Sequence, residues 1–142
     1  MGDDLVTLAS RLERRLLKAK ATVSAAESCT GGLLTSTLTD ISGSSACFNQ
    51  SWITYSNEAK IIELNVEPRT LEEFGAVSAE VAIQMAKGAR EKSNAEIAIS
   101  ITGIAGPKSD DTRKKVGEVF VGISSTMYEG ADSKQYSGDR KQ

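Results

Sequence analysis

The stretch best suited to chemistry is Ala26-Glu27-Ser28-Cys29-Thr30-Gly31-Gly32. A strand-like run, residues 22–26, leads into it, and a helix-like run, residues 33–38, leads out. A turn of this kind presents its hydroxyl at the carboxyl end of a strand, and its glycines let a ligand approach the backbone. The start of the helix supplies unpaired N–H groups for an anion or a developing oxyanion. Ser28 is therefore the candidate nucleophile, with a helix cap as the plainer role for a serine there. Cys29 is a rival, because a helix N-terminus lowers a thiol pKa, but neighbouring side chains usually face apart. The chain contains no histidine, which excludes Ser-His-Asp and Cys-His catalysis and any His-ligated metal. A base for Ser28 must then be a lysine, a carboxylate or a tyrosine.

Tyr55-Ser56-Asn57-Glu58-Ala59-Lys60 offers two such groups. Tyr55 falls at a strand end and Lys60 in the first turn of the next helix. Loops at one edge of an α/β sheet converge, so both can reach Ser28. The field at a helix start and partial burial both disfavour a cation. A lysine base working near neutral pH needs a pKa about 2–3 below its ordinary value near 10.4. Spacing alone equally allows a solvated lysine and a packed tyrosine. The loop Thr102-Gly103-Ile104-Ala105-Gly106 follows another strand and turns its amides to the same edge, as an oxyanion site, a phosphate site or a plain turn. Arg140 has a fork suited to phosphate, or is a frayed terminal side chain.

The remaining chain must position these groups. Leu5, Leu8, Leu12 and Leu16 recur at helical spacing and predict an amphipathic helix over residues 3–20. Strands are expected at 22–26, 47–55, 95–101 and 117–125, with an edge strand at 133–136. A helix is expected at 31–39, followed by a turn-rich loop at 40–45. Ser56 caps a helix over 57–64, which Val66-Glu67-Pro68-Arg69 breaks. Thr70-Leu71-Glu72-Glu73 has capping-box spacing and opens one short turn. Ser78 caps a helix to residue 93, striped by Val81, Ala82, Met85, Ala86 and Ala89. The last two strands share a short connection and should pair antiparallel, so the sheet is mixed.

With 142 residues, 39% apolar and 25% charged, the chain reads as one soluble domain over residues 1–142. A net charge of −2 gives no footprint for nucleic acid. No apolar run reaches the roughly 20 residues of a membrane span, and the acidic start is unlike a signal peptide. A cytoplasmic location is the expectation. Two cysteines support neither a disulfide framework nor a zinc site. No metal and no cofactor are expected.

The same residues carry a resemblance. Besides the stretches at 26–32 and 54–60, the chain has Thr39-Asp40-Ile41-Ser42-Gly43-Ser44-Ser45-Ala46 and Phe74-Gly75-Ala76-Val77-Ser78. It also has Thr102-Gly103-Ile104-Ala105-Gly106-Pro107, Val116-Gly117-Glu118-Val119 and Ser137-Gly138-Asp139-Arg140. In that order, across nearly the whole chain, they resemble the CinA C-terminal domain family, the PncC-type nicotinamide mononucleotide deamidases. The resemblance implies an α/β fold: a three-layer α/β/α sandwich on a mixed, mostly parallel sheet of about five strands. It implies hydrolysis of the carboxamide of nicotinamide mononucleotide to nicotinate mononucleotide and ammonia. Ser28 would attack, Lys60 would take its proton, and Tyr55 would help pass the proton to the leaving ammonia. Backbone amides near Thr30, Gly31 and Gly32, or at Gly103, would hold the oxyanion. Ser45, Thr102, Gly106 and Arg140 are further candidates for substrate contact. The implied partner is this small molecule; a homo-oligomer is compatible with the resemblance.

The chain also departs from the family pattern. Lys108-Ser109-Asp110-Asp111-Thr112-Arg113-Lys114-Lys115 stands where members usually have Asp-Gly-Gly and a later proline. Asn49 and Gln50 stand where Gly-Gly is frequent. Members usually continue past Gly-Asp-Arg into a final helix, and the full CinA protein has an N-terminal domain, so a stand-alone member with one less-covered sheet face is the expectation. Two other readings stay open: a nucleotide-binding module of the same fold without turnover, and a competence- or damage-linked interaction protein.

Overall fold

The computed structural model describes residues 4–104 and 117–135. Its first helix, α1 (Leu5–Ala19), starts where the Asp4 carboxylate accepts from the Thr7 N–H at 2.8 Å. It stops at Lys20, which turns left-handed with φ of 55°. Strand β1 (Val23–Glu27) is buried along its whole length. It is followed by α2 (Leu33–Thr39), a 3₁₀ turn (Ser44–Ala46) and β2 (Phe48–Ile53). Next come α3 (Asn57–Leu64), capped by Ser56, then α4 (Pro68–Phe74) and α5 (Ala79–Ser93), capped by Ser78. The chain closes with β3 (Ile97–Gly103), β4 (Glu118–Ser125) and β5 (Glu129–Gln135).

The five strands form one sheet in the order β2-β1-β3-β4-β5. Strands β2, β1 and β3 run parallel; β3 with β4, and β4 with β5, pair antiparallel. The architecture is the expected α/β fold with a mixed sheet. Two apolar layers hold it. Leu64, Val66, Leu71, Val81, Met85 and Ala89 pack from α3 to α5 onto Ala26 and Ala98. On the opposite face Leu12 and Leu16 of α1 pack against Val23, Cys47, Phe48, Ile97 and Ile99. Toward the outer part of the sheet, Val121 and Ile123 remain exposed.

Among the boundaries that differ from expectation, three have clear local reasons. Pro68 opens α4 instead of only breaking the helix before it, because a proline at the first helical position loses no needed N–H. Strand β5 begins at Glu129, since Ser125 accepts the turn amides of Met127 and Tyr128 and closes the hairpin early. Strand β3 extends through Gly103, which pairs with Val119. Gly88 of α5 lets α3 pack very closely: a Cβ there would stand 2.0 Å from the Leu64 carbonyl oxygen. That contact sets the depth of α3, the helix that carries Lys60.

Candidate active site

Parallel strands end together. Glu27, the last residue of β1, pairs with Ile53 at the end of β2 and with Ile101 near the end of β3. Ser28 leaves this edge with its N–H donating to the Ile101 carbonyl at 3.0 Å. The residue is nearly buried, at 7% exposure. Lys60, one turn into α3, is 1% exposed. Helical side chains lean toward the N-terminus, so its stem runs back to the residues ahead of the Ser56 cap. Its Nζ lies 2.7 Å from the Thr54 carbonyl oxygen, 3.2 Å from that of Tyr55, and 3.0 Å from Ser28 Oγ.

These three contacts suit a neutral amine as well as an ammonium. A neutral amine donates two N–H bonds to the two carbonyls and leaves its lone pair for the Ser28 hydroxyl. No carboxylate is among these three partners. Burial pushes the Lys60 pKa down to about 8, against a smaller opposing electrostatic influence of Cys29. At pH 7 about one amine in ten is then neutral, against roughly one in three thousand for an unshifted lysine. The pair meets the distance criterion for a nucleophile and its base.

The turn itself is built on a residue that pattern reading did not single out. The Glu27 side chain is fully buried and accepts hydrogen bonds from Thr30 Oγ1 at 2.6 Å, Gly32 N at 3.1 Å and Leu34 N at 3.0 Å. Its other oxygen accepts from Thr35 N at 2.8 Å and Thr35 Oγ1 at 2.5 Å. Burial alone would raise its pKa; the bonds from Thr30, Thr35 and Leu34 outweigh that and hold the carboxyl below its ordinary range. Gly31 and Gly32 take φ of 59° and 111°, which lets the chain fold around this carboxylate. The available signal was a glutamate just before a Gly-Gly helix start.

Several of the residues expected to touch the substrate have other partners in this geometry. The amino end of α2 is filled from within: the Gly32 amide is on Glu27, and the Gly31 amide is on the Ser28 carbonyl at 3.1 Å, so neither is free for an oxyanion. The Thr30 hydroxyl is likewise bonded to Glu27. Tyr55 meets Lys60 through its carbonyl; its side chain is 62% exposed, and among the described residues no hydrogen bond joins its phenol to Ser28 or Lys60. Thr102 is buried with its hydroxyl on the Ala76 carbonyl at 2.9 Å, where it ties the sheet to the segment ahead of α5. Gly103 backs onto the site, since a Cβ there would stand 3.2 Å from Cys29 Sγ. Ser45 lies in the 3₁₀ turn that precedes β2, whose Phe48 pairs with Val23, the first residue of β1. It is therefore at the opposite edge of the sheet, roughly 15 Å of strand away from Ser28. Gly106 and Arg140 lie outside the described residues, as does the charged stretch 108–115. Among the described residues no group of three or more Cys, Asp or Glu side chains could hold a metal. No described helix is long and apolar enough to cross a membrane.

Comparison with known proteins agrees with this architecture. A family model for the CinA C-terminal domain matches residues 5–142. A CinA-like protein of Chlorobaculum tepidum is 53% identical over 126 residues, 89% of this chain and 30% of that protein. One from Geotalea daltonii is 51% identical over 125 residues, 88% of this chain and 30% of that protein. The chain thus spans about 30% of the length of these curated relatives. Among solved structures, the competence/damage inducible protein CihA of Agrobacterium tumefaciens superposes with a TM-score of 0.91 at 40% identity, covering 96% of this chain and 84% of that one. A CinA superfamily protein of Escherichia coli superposes with a TM-score of 0.96 at 31% identity, covering 99% and 83%.

Proposed function

This chain belongs to the CinA C-terminal domain family, and on that premise we propose that it is an amidohydrolase acting on the carboxamide of nicotinamide mononucleotide. The observation that carries the reading is the 3.0 Å contact between Ser28 Oγ and a buried amine whose pKa is pushed to about 8. With no histidine in the chain, this is the hydroxyl–base pair available at the sheet edge.

The steps we assign use this pair of groups. Neutral Lys60 takes the Ser28 proton as Oγ bonds to the carboxamide carbon. The resulting Lys60 ammonium gives that proton to the nitrogen as the C–N bond breaks and ammonia leaves. Water then attacks the Ser28 ester, giving its proton to Lys60, and the ester opens to nicotinate mononucleotide as Ser28 regains its hydrogen. The Thr54 and Tyr55 carbonyls hold the amine through each step, since they accept from it in both charge states. The transfer between Ser28 and Lys60 spans 3.0 Å directly; the exposed Tyr55 phenol would act, if at all, only in passing the proton on to the leaving ammonia.

Ammonia release from nicotinamide mononucleotide tests the reading. The wild-type chain is expected to release ammonia, and Ser28→Ala to fall to background, at least about 10³-fold lower. Full activity in Ser28→Ala would refute the serine mechanism. Wild-type binding of the nucleotide with no release would favour a binding module instead.

A further inference from the structure

Glu27 is tied to both halves of the reactive pair. Its carboxylate gathers Thr30, Gly32, Leu34 and Thr35, which belong to the turn after Ser28 and the first turn of α2. Its backbone carbonyl accepts from the Thr54 N–H at 2.8 Å, and the Thr54 carbonyl in turn holds the Lys60 amine. Ser28 is the next residue in the chain, fixed on its other side by Ile101. An ionised carboxylate is what this arrangement requires. It has about four lone-pair sites and no donor, and all five groups facing it are donors. A glutamine would turn an NH₂ toward at least one N–H or hydroxyl. A solvent-facing helix cap would not need to be fully buried, nor to reach three amides and two hydroxyls at once.

We propose that Glu27 is a positioning residue for the Ser28–Lys60 pair, a role that rests on the reading of that pair given above. A carboxylate inside the turn fixes where Ser28 Oγ stands relative to the amine.

The experiment uses the full chain. The readout is the rate at which phenylmethylsulfonyl fluoride labels Ser28, followed by intact mass from pH 7 to 9. Wild type should label faster as pH rises through about 8. Glu27→Gln should label at least about tenfold more slowly and lose that pH dependence, because an amine no longer aligned cannot take the proton. Labelling of Glu27→Gln at the wild-type rate, or an unlabelled wild type, would overturn the positioning role. Should Glu27→Gln fail to fold, Thr35→Val removes one hydroxyl donor and leaves the carboxylate in place. Labelling several-fold slower supports the role, and an unchanged rate overturns it. Ammonia release from nicotinamide mononucleotide is read separately: its absence in the wild type refutes the substrate reading, while the labelling result still decides the role of Glu27.

Discussion

Replacing Lys60 with methionine should make the protein's stability less dependent on pH, in a direction that can be worked out beforehand. The folded chain holds this amine at a pKa of about 8, against an ordinary 10.5. Between those values the unfolded chain binds more protons, so wild-type stability rises with pH across that window. Below about 8 the wild type carries the whole penalty of a buried ammonium; above 10.5 it carries none. The span corresponds to about 3 kcal/mol, which we take as about 2–3 because three hydrogen bonds accompany the charge. Methionine fills a similar volume without the charge. It leaves the Thr54 and Tyr55 carbonyls without this donor, at about 1–2 kcal/mol, but equally at every pH. Urea unfolding of both proteins by circular dichroism, from pH 7 to 10.5, gives the difference directly. Wild-type stability minus that of Lys60→Met should climb by about 2–3 kcal/mol through the window. A difference flat to within about 0.5 kcal/mol would refute the claim that this amine is desolvated in the folded chain.

Other outcomes follow from the same contacts. Gly88→Ala should destabilise by about 3 kcal/mol in a thermal melt, since the added methyl meets the Leu64 carbonyl, and should lower kcat by shifting α3. Cys29→Ala removes an electrostatic influence that opposes the effect of burial on Lys60, so the midpoint of the pH–rate curve should move below about 8. Glu27 is held below its ordinary carboxyl range, so its stabilising bonds are fully present above about 4.5 and are lost as pH falls below that. Acid unfolding of Glu27→Gln should therefore lack that part of the wild-type slope. Ser45→Ala should leave kcat/KM unchanged, because Ser45 stands at the far edge of the sheet.

The elements that could be read from sequence were those with a strong local signal. Ser56 and Ser78 marked two helix starts to the residue, and the apolar run through residues 97–101 marked a central strand. The pairing of Ser28 with Lys60 was legible because parallel strands must end at one edge and no imidazole was present to compete. What could not be read was which donors were already committed. Ser45 shares a family stretch with its neighbours, but only strand register shows that the stretch precedes β2 at the wrong end. Thr102 sits in a glycine-rich loop by sequence, yet alternation along β3 turns it inward to Ala76. The oxyanion role of Gly31 and Gly32 depended on empty amides, and a side chain five residues ahead of Gly32 fills one of them. Long side chains that fold back on their own turn leave no periodic trace.

The most direct test of the account is the pH dependence of ammonia release from nicotinamide mononucleotide by the wild-type chain and by Lys60→Met. Wild-type kcat/KM should rise about fivefold from pH 7 to 8 and level off by about pH 9, as the Lys60 amine sheds its proton, with no such rise in the variant. A variant that keeps the wild-type profile, or a wild-type profile still climbing beyond pH 10, would contradict it.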